Sequence, residues 1–312
     1  MFERNRRVSA MSNNDNITLV LTGAGASFGC EHIYPKQPPV SDQLYDELAS
    51  SFPYSWGSIA GEKFRQNFEA GMYEIWQQRS TIVPQLMREM AIYFSQFHSD
   101  GSFSDLYSQF LKHIVSNDME EQIVLSTINY ECILELAACN LGFKIDYFTD
   151  TQSSKEKVIL WKLHGSCNFI PKGISATKGV IYTAGVQFGA GIEPIQPNQV
   201  PMFCTSNTAL YPAMSIFTQG KPMQICSQII QRLQGYWASR VTRAGKVVII
   251  GVNPNPNDSH IWNPLANTDA KILYIGNKER FENWISQFRP TKNSLWLADK
   301  FRDGFNYLIE SI

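Results

Sequence analysis

The stretch Ile17-Thr18-Leu19-Val20-Leu21-Thr22-Gly23-Ala24-Gly25-Ala26-Ser27 decides the fold. A run of apolar and β-branched residues leads straight into a small, glycine-punctuated turn. A buried parallel strand ends this way where a phosphate-holding loop begins. With no side chain at Gly23 or Gly25, a ligand can approach the backbone closely, and positive φ is open to both residues. The amides of such a turn, and of a helix starting after it, attract a pyrophosphate. Small-residue strand-to-helix turns are common, so the stretch alone permits a dinucleotide site without requiring one.

Working outward, the apolar strand pattern recurs at residues 121–128 (EQIVLSTI), 144–148, 157–163 (KVILWKL), 247–251 (VVIIG) and 271–275 (KILYI). Between and after these lie helical patterns at 43–48, 132–140, 224–243, 281–288 and 295–309. Residues 28–40 hold Pro35, Pro38 and Pro39, cannot be a helix, and are long enough to fold over whatever the glycine turn binds. From 62 to 115 apolar residues recur at three- and four-residue steps: Phe64, Phe68, Met72 and Ile75; Leu86, Met90, Tyr93 and Phe97; Leu106, Phe110 and Ile114. They read as helices, broken near Pro84 and at Ser99-Asp100-Gly101, whose aromatic stripes form core. Strands alternating with helices imply an α/β fold, a Rossmann-like doubly wound parallel sheet. One domain over 1–312 is expected, with a helical module inserted at 52–120 and an irregular loop region or small lobe at 168–222.

Composition limits the function. The chain has 312 residues, 44% hydrophobic, 12% aromatic and 18% charged, and reads as globular. Its 27 basic and 28 acidic residues leave a formal net charge of -1, which gives no bulk attraction to nucleic acid or an anionic membrane. No apolar run approaches the ~18 residues of a membrane span. Residues 1–16 read as a polar tail; Arg4, Arg6 and Arg7 would suit a transit peptide, but Glu3 and Asp15 would not. Six cysteines, none in a Cys-x-x-Cys pair, suit a reduced cytoplasmic protein with unpaired thiols; Cys132 and Cys139 are expected to be buried.

In doubly wound sheets ligands sit past the carboxyl ends of the strands. Those ends read Thr22-Gly23-Ala24-Gly25, Thr127-Ile128-Asn129, Leu163-His164-Gly165, Ile250-Gly251-Val252-Asn253 and Ile275-Gly276-Asn277. Polar amides and one imidazole converge on a single rim.

That set of strand ends resembles the sirtuin family, and more closely its divergent bacterial branch of sirtuin-like NAD hydrolases. Gly23-Ala24-Gly25-Ala26-Ser27 is similar to the family's Gly-Ala-Gly-x-Ser loop. Ser126-Thr127-Ile128-Asn129-Tyr130-Glu131 resembles the Thr-x-Asn-x-Asp segment at the nicotinamide ribose, and Leu163-His164-Gly165-Ser166 the His-Gly pair carrying the catalytic histidine. Gly251-Val252-Asn253 stands in place of Gly-Thr-Ser, and Ile275-Gly276-Asn277 resembles the strand end that meets the adenine-side ribose. There are departures. Glu131 replaces Asp, Asn253 replaces Ser, and Gln37-Pro38-Pro39-Val40 lies where deacylases carry Pro-Asp-Phe-Arg. No four-cysteine zinc module follows His164-Gly165, and its absence favours water over an acyl-lysine as the nucleophile.

The resemblance implies an NAD glycohydrolase that yields nicotinamide and ADP-ribose, an NAD-depleting effector of anti-phage defence. His164 and Asn129 would be catalytic. Gly23, Ala24, Gly25, Ser27, Thr127, Gly251, Asn253 and Asn277 would hold NAD, with no metal. A homo-oligomer is expected, with a separate activator such as a translocase-type ATPase or an Argonaute-like protein, for which the 62–115 insert would be the contact surface. No direct nucleic-acid or membrane binding is expected. A protein deacylase or ADP-ribosyltransferase, and a non-catalytic NAD or ADP-ribose sensor, are the alternatives. Read without the family, His164 is a turn residue satisfied by backbone and Asn129 a helix cap. Glu131 is either a first-turn acid or a site wall. Asp258 could orient a loop over the adenosine, and Trp262 belongs to the core.

Overall fold

The computed structural model describes residues 17–174, 189–207, 209–218 and 220–312. The expectations for 1–16 and for much of 168–222 fall partly or wholly outside these residues. The sheet strands are β1 (Thr18–Thr22) and, further along, β4 (Ile123–Thr127), β5 (Lys144–Asp146), β6 (Lys157–Lys162), β9 (Lys246–Ile250), β10 (Lys271–Ile275) and β11 (Ser294–Ala298). They pair in the order β11-β10-β9-β1-β4-β6-β5, and every pairing is parallel. The strand at the centre, β1, is buried along its whole length, as the unbroken apolar run from Thr18 requires. Between β1 and β9 the winding reverses direction, so this is a doubly wound α/β fold with its switch point there.

Register places the site. Thr22 is level with Thr127 on one side and Ile250 on the other; Thr127 is level with Lys162, and Ile250 with Ile275. The strands therefore end flush, and the residues that follow each of them emerge at one rim.

The first helix, α1 (Ala24–Phe28), follows β1 directly, and a short ribbon pairs β2 (Ile33–Tyr34) with β3 (His98–Ser99). The insert between them holds α2 (Ser41–Ser51), α3 (Glu62–Gln66), α4 (Phe68–Gln78) and α5 (Val83–Ser95); α6 (Leu106–Ser116) follows β3. Pro84 sits in the first turn of α5, where its missing N–H costs nothing. The aromatic stripes pack inward: Phe64 lies 5.8 Å from Trp56 and 5.4 Å from Phe68. These stripe residues are buried, while Tyr73 and Val115 of the same region are exposed.

Next come α7 (Ile133–Asn140), a ribbon of β7 (Phe169–Pro171) and β8 (Ile192–Pro194), α8 (Val200–Ser206), and α9 (Ser227–Val241). The last helices are α10 (Ser259–Asn267), α11 (Lys278–Phe288) and α12 (Phe301–Ile309). The helix expected over 295–309 is corrected. Ser294–Ala298 is the edge strand β11, and helix begins only at Phe301, because Leu295 to Ala298 complete the sheet beside β10. Cys139 is exposed rather than buried, and none of the six cysteines is disulfide-bonded.

The glycines of the opening stretch also let two parts of the chain meet closely. Gly23 has φ -137, not a positive value, and its N–H donates to the Ile250 carbonyl at 2.9 Å. The Gly25 N–H donates to the Gly251 carbonyl at 3.1 Å. Neither amide is free to cradle an anion. A Cβ on Gly25 would lie 2.9 Å from Gly251 Cα, and one on Gly251, whose φ is +67, would lie 2.1 Å from Ala26 N. Here it is another stretch of the same chain that approaches.

Substituting Gly251→Ala combines a left-handed backbone with a backbone clash, and should cost about 1–3 kcal/mol or more. The check is urea unfolding: a lower midpoint at unchanged slope is expected. Gly235→Ala, in open space on α9, is the control and should match or exceed wild-type stability.

Candidate active site

A cavity of about 810 Å³ opens at the rim, within the range that holds a small ligand. The β1 end contributes Ala24, Gly25 and Ser27; the β4 and β6 ends contribute Asn129, Glu131 and His164. Opposite lie Gly251, Asn253 and Asn277, from the ends of β9 and β10. The insert closes the cavity with Asn67, Glu69 and Phe94.

One side-chain cluster is densely hydrogen-bonded. Asn129 Nδ2 donates to Ser27 Oγ at 3.0 Å and to Glu131 Oε1 at 2.9 Å. Ser27 Oγ donates to the same Glu131 oxygen at 2.6 Å and meets the Tyr107 hydroxyl at 2.9 Å. The other oxygen, Glu131 Oε2, accepts the Ile133 amide at 2.7 Å in the first turn of α7. Glu131 thus stands one residue before the N-cap Cys132, lines the cavity, and takes an orphan amide of α7. Beneath it Lys162 Nζ donates to the Glu131 carbonyl at 2.5 Å and pairs with Glu135 at 2.6 Å, fully buried.

The second cluster is less saturated. Gly165, at φ +79, follows His164; a Cβ there would lie 1.9 Å from the Ala213 carbonyl oxygen. The His164 carbonyl accepts both the Ser215 amide, at 2.8 Å, and its hydroxyl, at 2.9 Å. The backbone is fixed, and the imidazole points into the cavity. His164 Nε2 lies 3.0 Å from His260 Nε2 and 3.4 Å from Asp258 Oδ1. Lys221 Nζ lies 3.8 Å from that same oxygen and is ion-paired with Glu69 of α4. Asn257 Nδ2 donates to Glu69 at 2.6 Å and Asn255 Nδ2 at 3.3 Å.

Burial, then the Lys221 charge and His260, hold His164 well below the ordinary imidazole value, so it is neutral at pH 7. Burial and Lys221 lower His260 to about 4. Burial raises Asp258 to about 6; Lys221 opposes this and Glu69 adds to it. Burial works to raise Glu69 too, but the charge and hydrogen bond of Lys221, with Asn257 and Asn255, hold it below the usual carboxylate value.

Of the residues singled out from the sequence, Ala24, Gly25, Ser27, Asn129, His164, Gly251, Asn253 and Asn277 line one cavity. Gly23 and Thr127 lie behind it: Thr127 Oγ1 donates to the Thr22 carbonyl and accepts the Asn129 amide, both at 3.1 Å. Asn277 Oδ1 is engaged as the N-cap of α11, accepting the Arg280 amide at 2.9 Å. Trp262 is core, 4.9 Å from Trp284. Asp258 and His260 face His164 rather than a loop. Glu69 and Lys221 were not identified from the sequence. Neither stands in a motif, and only folding brings α4 against the loop before α9.

No protein-family model matches this chain, and no curated protein matches it. Solved structures do. One is Sir2 in complex with the inhibitor EX-527, 2'-O-acetyl-ADP-ribose and a deacetylated p53 peptide: 13% identity, TM-score 0.42, covering 95% of this chain and 94% of that one. Another is a mutant Sir2 homologue in complex with ADP-ribose: 12% identity, TM-score 0.37, covering 95% and 89%. At that likeness the chemistry of the cavity has to be argued from its own side chains.

Glu69→Gln would leave the buried Lys221 ammonium facing a neutral amide. Breaking such a pair should cost about 3 kcal/mol or more. The double variant Glu69→Gln/Lys221→Met should recover most of that loss in a thermal or urea melt.

Proposed function

We propose that this chain is an NAD glycohydrolase. The reading is carried by one observation: Asn129 and His164, from the adjacent ends of β4 and β6, are both buried and both line the cavity at the switch point. The sequence resemblance stated above supplies the substrate. Ala24 is exposed and Gly25 half-exposed on the cavity wall, and neither has a side chain longer than a methyl, which leaves room for a diphosphate. Asn253 and Asn277 suit the adenosine end; Asn129 and His164 suit the nicotinamide ribose. Gly23 and Thr127 support the loops that hold NAD.

The reaction needs no strong acid, because nicotinamide leaves as a neutral molecule. The C–N bond to the ribose breaks with its electron pair passing to the pyridinium nitrogen. The ribose becomes oxocarbenium-like, and a water oxygen bonds to its anomeric carbon. Neutral His164 accepts the proton that this water loses. Asn129, held by Ser27 and Glu131, keeps a fixed carboxamide against the ribose. On this reading the chain depletes cellular NAD in anti-phage defence. It acts as a homo-oligomer, or under a separate activator such as a translocase-type ATPase or an Argonaute-like protein.

The test is incubation with NAD and chromatographic product analysis across protein concentrations. Nicotinamide and ADP-ribose are expected with no acceptor added. His164→Ala and Asn129→Ala should each lower the rate at least about 100-fold with melting curves still cooperative. Undiminished NAD loss in both folded variants would remove these residues from the site. Nicotinamide release only when an acyl-lysine peptide or a protein acceptor is supplied would make the chain a deacylase or ADP-ribosyltransferase. Tight binding without product would make it a sensor.

A further inference from the structure

We propose that His164, His260 and Asp258 form a binding site for a divalent first-row transition-metal ion, with zinc as its simplest occupant. Among the described residues this is the cluster whose ligand atoms converge: one donor from each residue, all within 4.8 Å of one another. An ion with bonds of about 2.0–2.1 Å in a tetrahedron holds its ligands roughly 3.3 Å apart. The two Nε2 atoms are separated by 3.0 Å, and His164 Nε2 lies 3.4 Å from Asp258 Oδ1. His260 and Asp258, the third pair, lie within 4.8 Å of each other and would close in on a shared ion.

Three further observations favour an ion. Asp258 Oδ1 is buried with no hydrogen-bond partner, although a buried carboxylate oxygen ordinarily has one. His164 Nε2 and Lys221 Nζ are near it without forming an aligned bond. Two carboxylates, Asp258 and Glu69, stand at the cluster beside one lysine, Lys221. Glu69 pairs with Lys221 and keeps that ammonium from being an isolated cation beside the ion. Finally there is a way in. His164 and Asp258 line the large cavity, and His260 lines an adjoining one of about 250 Å³ that also reaches Lys221.

The donor set defines the class of ion. Two imidazoles and one carboxylate suit zinc, cobalt, nickel, copper or ferrous iron, and not magnesium or calcium, which take oxygen ligands. Both rings bind through Nε2 and keep their remaining proton on Nδ1, so neither ring need lose its only proton. Three protein ligands leave one tetrahedral position for water or a ligand. Such an ion would take the Nε2 lone pair of His164. Occupancy and proton acceptance at that atom then exclude each other; this consequence rests on the hydrolase reading, and the site itself does not. Folding brings His164 to Asp258 and His260, which lie two positions apart in the sequence.

The experiment is titration of zinc ion alone into the chelator-treated full chain, followed by calorimetry, with cobalt as the spectroscopic substitute. One ion per chain is expected, with a tetrahedral cobalt spectrum that lacks thiolate charge-transfer bands. Excess magnesium should not compete. His260→Gln and Asp258→Asn should each weaken binding at least about tenfold, while Cys139→Ser, at the exposed thiol, should bind as the wild type does. Absence of a one-per-chain site would overturn the proposal. So would a thiolate signature, or wild-type affinity in both site variants. If those variants do not fold, the cobalt spectrum of the wild-type chain decides. NAD turnover enters none of these readings, so a metal site without hydrolysis and hydrolysis without a metal site are distinguishable results.

Discussion

Two backbone hydrogen bonds, from Gly23 to the Ile250 carbonyl and from Gly25 to that of Gly251, tie the ends of β1 and β9 together where the sheet reverses its winding. The rest of the site depends on that contact. A parallel sheet does not hydrogen-bond its loops, so the loops beyond a switch point normally diverge and leave a crevice. Here they touch first and diverge afterwards. The contact sets where α1 starts, and α1 sets where Ser27 lies. Ser27 in turn meets Asn129, Glu131 and Tyr107 within 3.0 Å of its hydroxyl. Asn129 is therefore aimed from the adjacent strand's end, through the Ser27 hydroxyl of α1. Its place in the Ser126–Glu131 segment does not aim it alone.

The helical insert takes part in the same construction. Read along the chain it is a module between strands, but its interior is continuous with the site. Phe68 of α4 packs edge-on to Phe217 at 5.3 Å, and Phe94 of α5 lies 5.7 Å from Tyr130. Glu69 of α4 and Tyr107 of α6 extend into the two polar clusters. Each polar cluster thus has one member from the helices between β1 and β4. A displacement of α4 would carry Glu69 away from Lys221 and strengthen the field of that ammonium at His164. A displacement of α6 would release the Tyr107 hydroxyl from Ser27. The insert sets the electrostatic state of the cavity as well as its shape.

This explains what the sequence disclosed and what it hid. The strands of the frame were legible because burial on both faces demands continuous apolar runs, and Ile17 to Leu21 or Val247 to Ile250 can satisfy that demand only as strand. β11 was misread because an edge strand is only half buried. The run Ser294–Ala298 carries a mixed pattern and abuts a helix, so it blended with α12. Asn129 and His164 were legible because flush strand ends turn chain order into spatial neighbourhood. Glu69 and Lys221 were not, since a pairing between two loops leaves no periodicity in either. Gly23 and Gly25 were recognised as sites of close approach, and the chain itself approaches their backbone behind the cavity that Gly25 lines.

The two polar clusters differ in how a ligand could interact with them. Around Ser27 and Asn129 the hydroxyl, the carboxamide NH2 and the Glu131 carboxylate already bond one another, so a ligand group arriving at those atoms must exchange one hydrogen bond for another, at small net gain. That cluster orients what binds and contributes little affinity. Around His164 the balance is different. A carboxylate oxygen of Asp258 is buried without a hydrogen bond, two neutral imidazoles face each other, and the nearest cation belongs to Glu69. A buried acceptor without a partner is costly to keep, and a site that keeps one gains most from whatever supplies the missing contact. A hydroxyl can supply part of it and an ion more, but both must engage the cluster at His164 Nε2 or beside it. Asp258 Oδ1 and His164 Nε2 are 3.4 Å apart, so occupants that engage either atom compete.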